Sequence, residues 1–330
     1  MNSATSSPVS VDPEQILLRP LFIVGAPRSG TTWVQRLLLS HPAIRGGQES
    51  NFFCAFGPIL HMYRYGEQPG RLAGLPNYWT EPQLIDEIRG LWRRTMQGFI
   101  APGPDGTPPA LLVEKTPGHA LFMDVIMKVL PEARFVHVIR DSRSVAASLL
   151  AAKKDDWAKM WAPTKARDAA LTWYQHVTAA RKFGKTLPPE KYMEVFYEDF
   201  HANPAANLTR LLDYLNLPLP AARVNEIVAE QSFEKQKAIG GTPFARLGKF
   251  ENAKITEPKG FFRSGKADGW RQELSWRQKL TVWRFTRRLM ASCGYKWGGR
   301  QDGFVPLENS NTATTPGNVP AAPAPANAHS

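Results

Sequence analysis

Nine residues near the N-terminus, Gly25-Ala26-Pro27-Arg28-Ser29-Gly30-Thr31-Thr32-Trp33, combine glycines, hydroxyls and one cation in a spacing suited to holding an anion. They follow an apolar run at 20–25 and lead into a helix-forming stretch at 31–40. A glycine-bearing turn between strand and helix aims successive backbone N–H groups, and the positive end of the helix dipole, at one point. The spacing fits the G-x-x-x-x-G-K-[ST] loop of nucleoside triphosphate binders, but Thr31 occupies the lysine position. The cation has moved into the loop as Arg28. That layout favours an anion whose charges are arranged differently from those of a magnesium-bound triphosphate.

The segment GAPRSGTTW resembles the 5′-phosphosulfate loop of sulfotransferases that use 3′-phosphoadenosine 5′-phosphosulfate (PAPS). The resemblance implies that Arg28, Ser29, Gly30, Thr31 and Thr32 hold the 5′ end of PAPS, the product being adenosine 3′,5′-bisphosphate. A second motif, HVIRDSRSVAAS over 137–148, is similar to the 3′-phosphate signature of the same family: an Arg at a strand end and a Ser eight residues later. Arg140 would offer a planar guanidinium fork to a phosphate, and Ser148 would add a hydroxyl. Residues 262–271 resemble the family's late segment that folds over the 3′-phosphate. Arg263 and Gly265 match it; Ser264 replaces the usual Lys, and Asp268-Gly269 inverts the usual Gly-Asp. Phosphate contact by Arg263 and the backbone of Ser264 and Gly265 is implied. Trp33, Tyr197 and Phe233 stand where related enzymes place aromatic rings against adenine.

Sulfuryl transfer needs an in-line nucleophile, a base and positive charge where the leaving phosphate develops. Lys115, in Glu114-Lys115-Thr116-Pro117, resembles the KTP segment of this group, which implies that it stabilises the transferring group. Two residues compete for the base. Glu49, in GGQESNFF, resembles the glutamate before an aromatic pair in carbohydrate-directed and related bacterial sulfotransferases. His119 resembles the histidine of phenol and steroid sulfotransferases, but lies two residues later, behind Pro117, which ranks it after Glu49. The sequence contains no metal-ligand spacing, and cationic side chains can supply the charge, so no metal is expected.

Something must hold these residues together. Runs at 20–25, 110–114, 133–139 and 191–196 have the length and composition of strands buried on both faces. Helix-forming stretches at 31–40, 120–130, 144–152, 164–183 and 204–215 fall between and after them. The alternation predicts an α/β fold, a P-loop-like central parallel sheet flanked by helices on both faces, with ligand beyond the carboxyl ends of the strands. Residues 19–307 read as one domain. Within it 60–108, heavy in Gly, Pro and Trp with one helix over 83–99, reads as an acceptor-side insertion. Residues 1–18 read as a flexible arm. Residues 308–330, which close PGNVPAAPAPANAHS, are too poor in apolar bulk to offset ordering entropy and read as a disordered tail.

Composition sets the outer limits. A chain of 330 residues that is 43% hydrophobic can build a sizeable core. Two cysteines, Cys54 and Cys293, exclude a disulfide framework and a cysteine-built zinc site. No run of about 18 apolar residues is present, so no membrane span is expected, and the polar start lacks a signal-peptide pattern. A soluble, cytoplasmic protein is the expectation. The net charge of +12 is concentrated at 235–300, where sixteen Lys and Arg face four acids. A 3′-phosphate segment explains this without nucleic acid. Competing classes are a P-loop kinase of a small metabolite and a non-catalytic basic module that binds nucleotide or nucleic acid. The missing lysine and the Arg140–Ser148 pair oppose the first. The second would need neither Lys115 nor Glu49, and its binding would fall steeply with salt. The expected acceptor is a hydroxyl or amine of a small molecule, carbohydrate or natural product. Tyr63, Tyr65, Trp79 and Trp92 are available to stack on it.

Overall fold

The computed structural model describes residues 12–66, 74–103, 105–232, 234–235 and 266–301. Phe233, Arg263, Ser264, Gly265 and the tail at 308–330 lie outside them. Five strands, β1 (Leu21–Gly25), β2 (Ile44–Gly46), β3 (Leu111–Lys115), β4 (Arg134–Ile139) and β5 (Tyr192–Phe196), form one parallel sheet in the order β2-β3-β1-β4-β5. Four of these are the apolar runs legible in the sequence. The fifth, β2, is three residues long and shows no periodicity. It exists because Ile44, Arg45 and Gly46 pair with Leu111, Leu112 and Val113.

The helices up to β4 are α1 (Pro13–Leu18), α2 (Thr31–Leu39), α3 (Phe52–Gly66), α4 (Glu81–Met96) and α5 (Met123–Val129). After β4 come α6 (Ser142–Ala152), α7 (Ala166–Gly184), α8 (Tyr197–Ala202), α9 (Pro204–Tyr214) and α10 (Ala221–Glu230). Beyond the undescribed stretch lie α11 (Trp270–Glu273), α12 (Trp276–Ser292) and a short hairpin, Tyr295–Lys296 with Gly299–Arg300.

Side chains alternate across β1. Phe22 and Val24 enter a core lined by α3, α4 and α5, whereas Leu21 and Ile23 enter another lined by α2, α9 and α10. Helix α4 starts at a capping box between Thr80 and Gln83 and buries Leu84, Ile88, Trp92 and Met96 at four-residue steps. Trp92 packs against Phe22, Phe52 and Phe53 and donates its indole N–H to the carbonyl of Leu17, 2.8 Å away. That bond ties α1 to the body, so residues 13–18 are docked and helical, with Ile16 and Leu17 in the core. Trp92 and Tyr63 are therefore core residues, not acceptor-stacking rings; Trp79 and Tyr65 remain exposed. Among the described residues no helix is long and apolar enough to cross a membrane.

Candidate active site

The carboxyl ends of three neighbouring strands bring the candidate residues together. Residue 23 of β1 lies opposite Lys115 of β3, and Gly25 lies opposite Val138 of β4. The loop after β1 thus has Lys115 on one side and Arg140 on the other. Two glycines in it are required by geometry. A Cβ on Gly25 would meet the Val138 carbonyl oxygen at 2.5 Å; one on Gly30, whose φ is +97°, would overlap the Tyr197 ring. Gly30 is the N-cap of α2 and makes no side-chain cap, which leaves the first N–H groups of that helix for a ligand. Arg28 holds a left-handed φ of 74°, a conformation that non-glycine residues adopt at some cost and that here turns the guanidinium across the loop.

Arg28 Nε donates to Ser148 Oγ at 3.0 Å, and its guanidinium lies 5.5 Å from the Trp157 ring. Trp157 carried no signal in the sequence, because it sits on a single 3-10 turn, Asp156–Ala158, between α6 and α7. Arg140 donates to the carbonyls of Arg28 and Lys266 at 3.4 and 2.9 Å and stacks 4.0 Å from the Tyr197 ring. Its backbone is fixed from both sides: Trp173 donates to the Arg140 carbonyl, and the Glu198 carboxylate accepts from the Asp141 N–H. Tyr197 is buried between Gly30 and Arg140, with Trp33 packed edge-on at 5.7 Å. It braces the loop from below. Trp33 donates its indole N–H to the carbonyl of Gln231. Thr31 is buried and Thr32 half-buried in the first turn of α2. Ser29 Oγ and Arg140 Nε are buried with no hydrogen-bond partner among the described residues. An acceptor oxygen from a phosphate would satisfy both.

On the other side of the loop, Lys115 Nζ lies 2.5 Å from Glu49 Oε1. The lysine side chain is 5% exposed and the carboxylate 41%, so the pair has a buried cationic end and an open basic end. His119 is elsewhere. Its side chain is 0% exposed, Nδ1 lies 2.8 Å from Glu114 Oε2, and Nε2 accepts the Phe53 N–H at 3.1 Å. Both ring nitrogens are held inside the protein. Glu114 is a buried carboxylate, and burial alone would raise its pKa. The His119 imidazole facing it, with bonds from Thr116 and Ser50, outweighs that and lowers it to about 2. Sequence reasoning passed over Glu114, whose one signal was an acid in the middle of an apolar strand.

A third constellation went unseen in the sequence. Asp141 caps α6 by accepting from the Arg143 N–H, and the Arg143 side chain returns two bonds, Nε to Oδ1 at 3.0 Å and Nη2 to Oδ2 at 2.6 Å. The guanidinium is wholly buried, 3.8 Å from the Trp270 ring, and also donates to the carbonyls of Lys296 and Trp297. The C-terminal elements are thereby latched to the turn that carries Arg140.

This is an α/β protein with a glycine-bearing turn between β1 and α2, flanked by cations at the ends of adjacent parallel strands. Residues 20–221 match the model of the sulfotransferase family, and the chain belongs to that family. It is 27% identical over 202 residues to protein-tyrosine sulfotransferase 1 of Danio rerio, covering 60% of this chain and 53% of that protein. The match spans about half the length of that relative. The sulfotransferase domain from the curacin biosynthetic pathway superimposes with a TM-score of 0.53 at 17% identity, over 82% of this chain and 97% of that one. A mouse sulfotransferase complexed with PAP gives 0.52 at 14% identity, over 83% and 85%. These two likenesses establish the fold.

Proposed function

We propose that this chain transfers a sulfuryl group from PAPS to an acceptor hydroxyl without a metal. One observation carries the reading: Lys115, Arg28 and Arg140 sit at the carboxyl ends of the neighbouring strands β3, β1 and β4, with the Glu49 carboxylate on Lys115. Ser29 Oγ and Arg140 Nε, buried and without a partner among the described residues, fit a ligand bearing separate phosphates. Glu49 accepts the proton of the acceptor hydroxyl as its oxygen bonds to sulfur. The bond from sulfur to the 5′-phosphate oxygen breaks, and adenosine 3′,5′-bisphosphate leaves. Lys115 and Arg28 balance the charge that gathers on that oxygen; fixed cations in a shielded site do this without reorganising.

The acceptor proposed is a small-molecule, carbohydrate or natural-product hydroxyl reaching the open end of Glu49. A peptide tyrosine is the second reading, favoured by the likeness to a protein-tyrosine sulfotransferase. The test is transfer of label from PAPS to a panel holding alcohols, phenols, sugars and tyrosyl peptides. Product with one class assigns the acceptor. No transfer to any, with no affinity for adenosine 3′,5′-bisphosphate, would overturn the proposal.

A further inference from the structure

We infer that Glu114 and His119 are positioning residues that hold Glu49 against Lys115. This rests on Glu49 being the base. Of the four residues after Glu49, three have backbone N–H groups caught by a side chain from the end of β3 or just beyond it. Ser50 N–H donates to Glu114 Oε1 at 3.0 Å, Asn51 N–H to Thr116 Oγ1 at 3.1 Å, and Phe53 N–H to His119 Nε2 at 3.1 Å. The hydroxyls of Ser50 and Thr116 add bonds to Glu114 Oε1 at 2.8 and 2.7 Å, and His119 Nδ1 faces Oε2. Asn51 has a left-handed φ of 52°, so the chain here is sharply bent and the side-chain bonds oppose its relaxation.

The arrangement follows from strand geometry. Successive side chains of β3 leave opposite faces, so Lys115 meets the carboxylate of Glu49 while its neighbour Glu114 grips the next residue from the buried side. Glu49 is exposed, and an unheld carboxylate on a loop would spread over several rotamers. Misplacing a reacting group by about 1 Å can cost about 10²-fold in rate. The buried dyad converts a loop acid into one with a fixed address, and it accounts for a fully buried histidine that touches no open surface.

Three variants test this: His119→Leu removes both contacts, His119→Gln can remake them in part, and Thr116→Val is nearly isosteric. His119→Leu and Thr116→Val should lower kcat by about 10–10²-fold while the affinity for adenosine 3′,5′-bisphosphate holds. His119→Gln should recover part of the loss. Amide hydrogen exchange, slow in the wild type, should quicken at Phe53 and Ser50 in His119→Leu and at Asn51 in Thr116→Val. Should His119→Leu fail to fold, Thr116→Val carries the test alone. Unchanged kcat, or unchanged exchange in a folded variant, would overturn the inference. Equal inactivity of His119→Gln and His119→Leu with protection retained would make His119 the base instead. If the wild type transfers no sulfuryl group, the proposed function fails, while the exchange rates still report whether the dyad holds the loop.

Discussion

Arg28 and Ser148 are 120 positions apart, yet the guanidinium Nε donates to the hydroxyl at 3.0 Å. The contact joins the loop after β1 to the second turn of α6. Arg140 donates to the Arg28 carbonyl from the same side. The groups assigned by resemblance to the two phosphate ends of one nucleotide therefore share a single polar wall.

That wall should select for a 3′-phosphate. Adenosine 3′,5′-bisphosphate should bind more tightly than adenosine 5′-monophosphate by about 2–5 kcal/mol, as for a charge-assisted pair in a shielded site. Arg140→Met should erase most of the difference while leaving the monophosphate nearly unaffected. Titration calorimetry with both nucleotides reads this directly. Equal affinity in the wild type would remove Arg140 from the donor site.

Glu49→Gln keeps the shape of the side chain and removes its basicity. Turnover at saturating acceptor should fall by about 10²–10⁴-fold, the usual worth of a general base, with nucleotide affinity unchanged. On the charge-balancing roles proposed for Lys115 and Arg28, chelating divalent metal should leave the wild-type rate intact. A strict magnesium requirement would point back to a kinase.

The latch at the β4–α6 turn should govern stability. Asp141→Ala leaves Arg143 buried without its carboxylate among Trp270 and neighbouring carbonyls. Breaking a buried pair on one side costs about 3–5 kcal/mol. Urea unfolding should show a loss of that order, and a loss below about 1 kcal/mol would mean that water reaches the guanidinium.

Two buried groups should shape the acid limb of stability. Burial, then the charges of Arg181 and His176, lower the pKa of His137 from 6.5 to about 3. Between those values the unfolded chain binds the extra proton, so stability falls as pH drops below about 6.5. Glu114, lowered from 4.5 to about 2, contributes stability that is complete above about 4.5 and is lost as pH falls toward 2. His137→Gln should flatten the curve between about pH 6.5 and 4.5. Glu114→Gln should leave that span sloping and reduce, without abolishing, the slope below it, where His137 still titrates. Unfolding free energies measured from pH 7 to 3 distinguish the two, and an unchanged slope in either variant would contradict its window.

The phosphate loop was legible because its chemistry is local. A glycine at a left-handed N-cap, a following helix and a preceding apolar strand occupy consecutive residues, and each leaves a mark in composition. The same holds for β1, β3, β4 and β5, whose burial on both faces demands unbroken apolar runs. Helices α3 and α12 were not legible. The first carries Gly57 and Pro58 in its interior, and the second has so many arginines that its buried stripe, Val282, Thr286 and Met290, is narrow. Both are helical because neighbours cover those stripes, which no local pattern announces. Resemblance left Glu49 and His119 competing as the base. Tertiary structure decided where each one lies: pairing of β2 with β3 carries the chain past Gly46, so that Glu49 arrives at Lys115, while the turn after β3 sends His119 inward beneath α3. The Arg143 latch was likewise decided in space, since its partners come from residues as far apart as Asp141 and Trp297. A buried charge needs partners on every side, and only the folded chain can bring them from such distances.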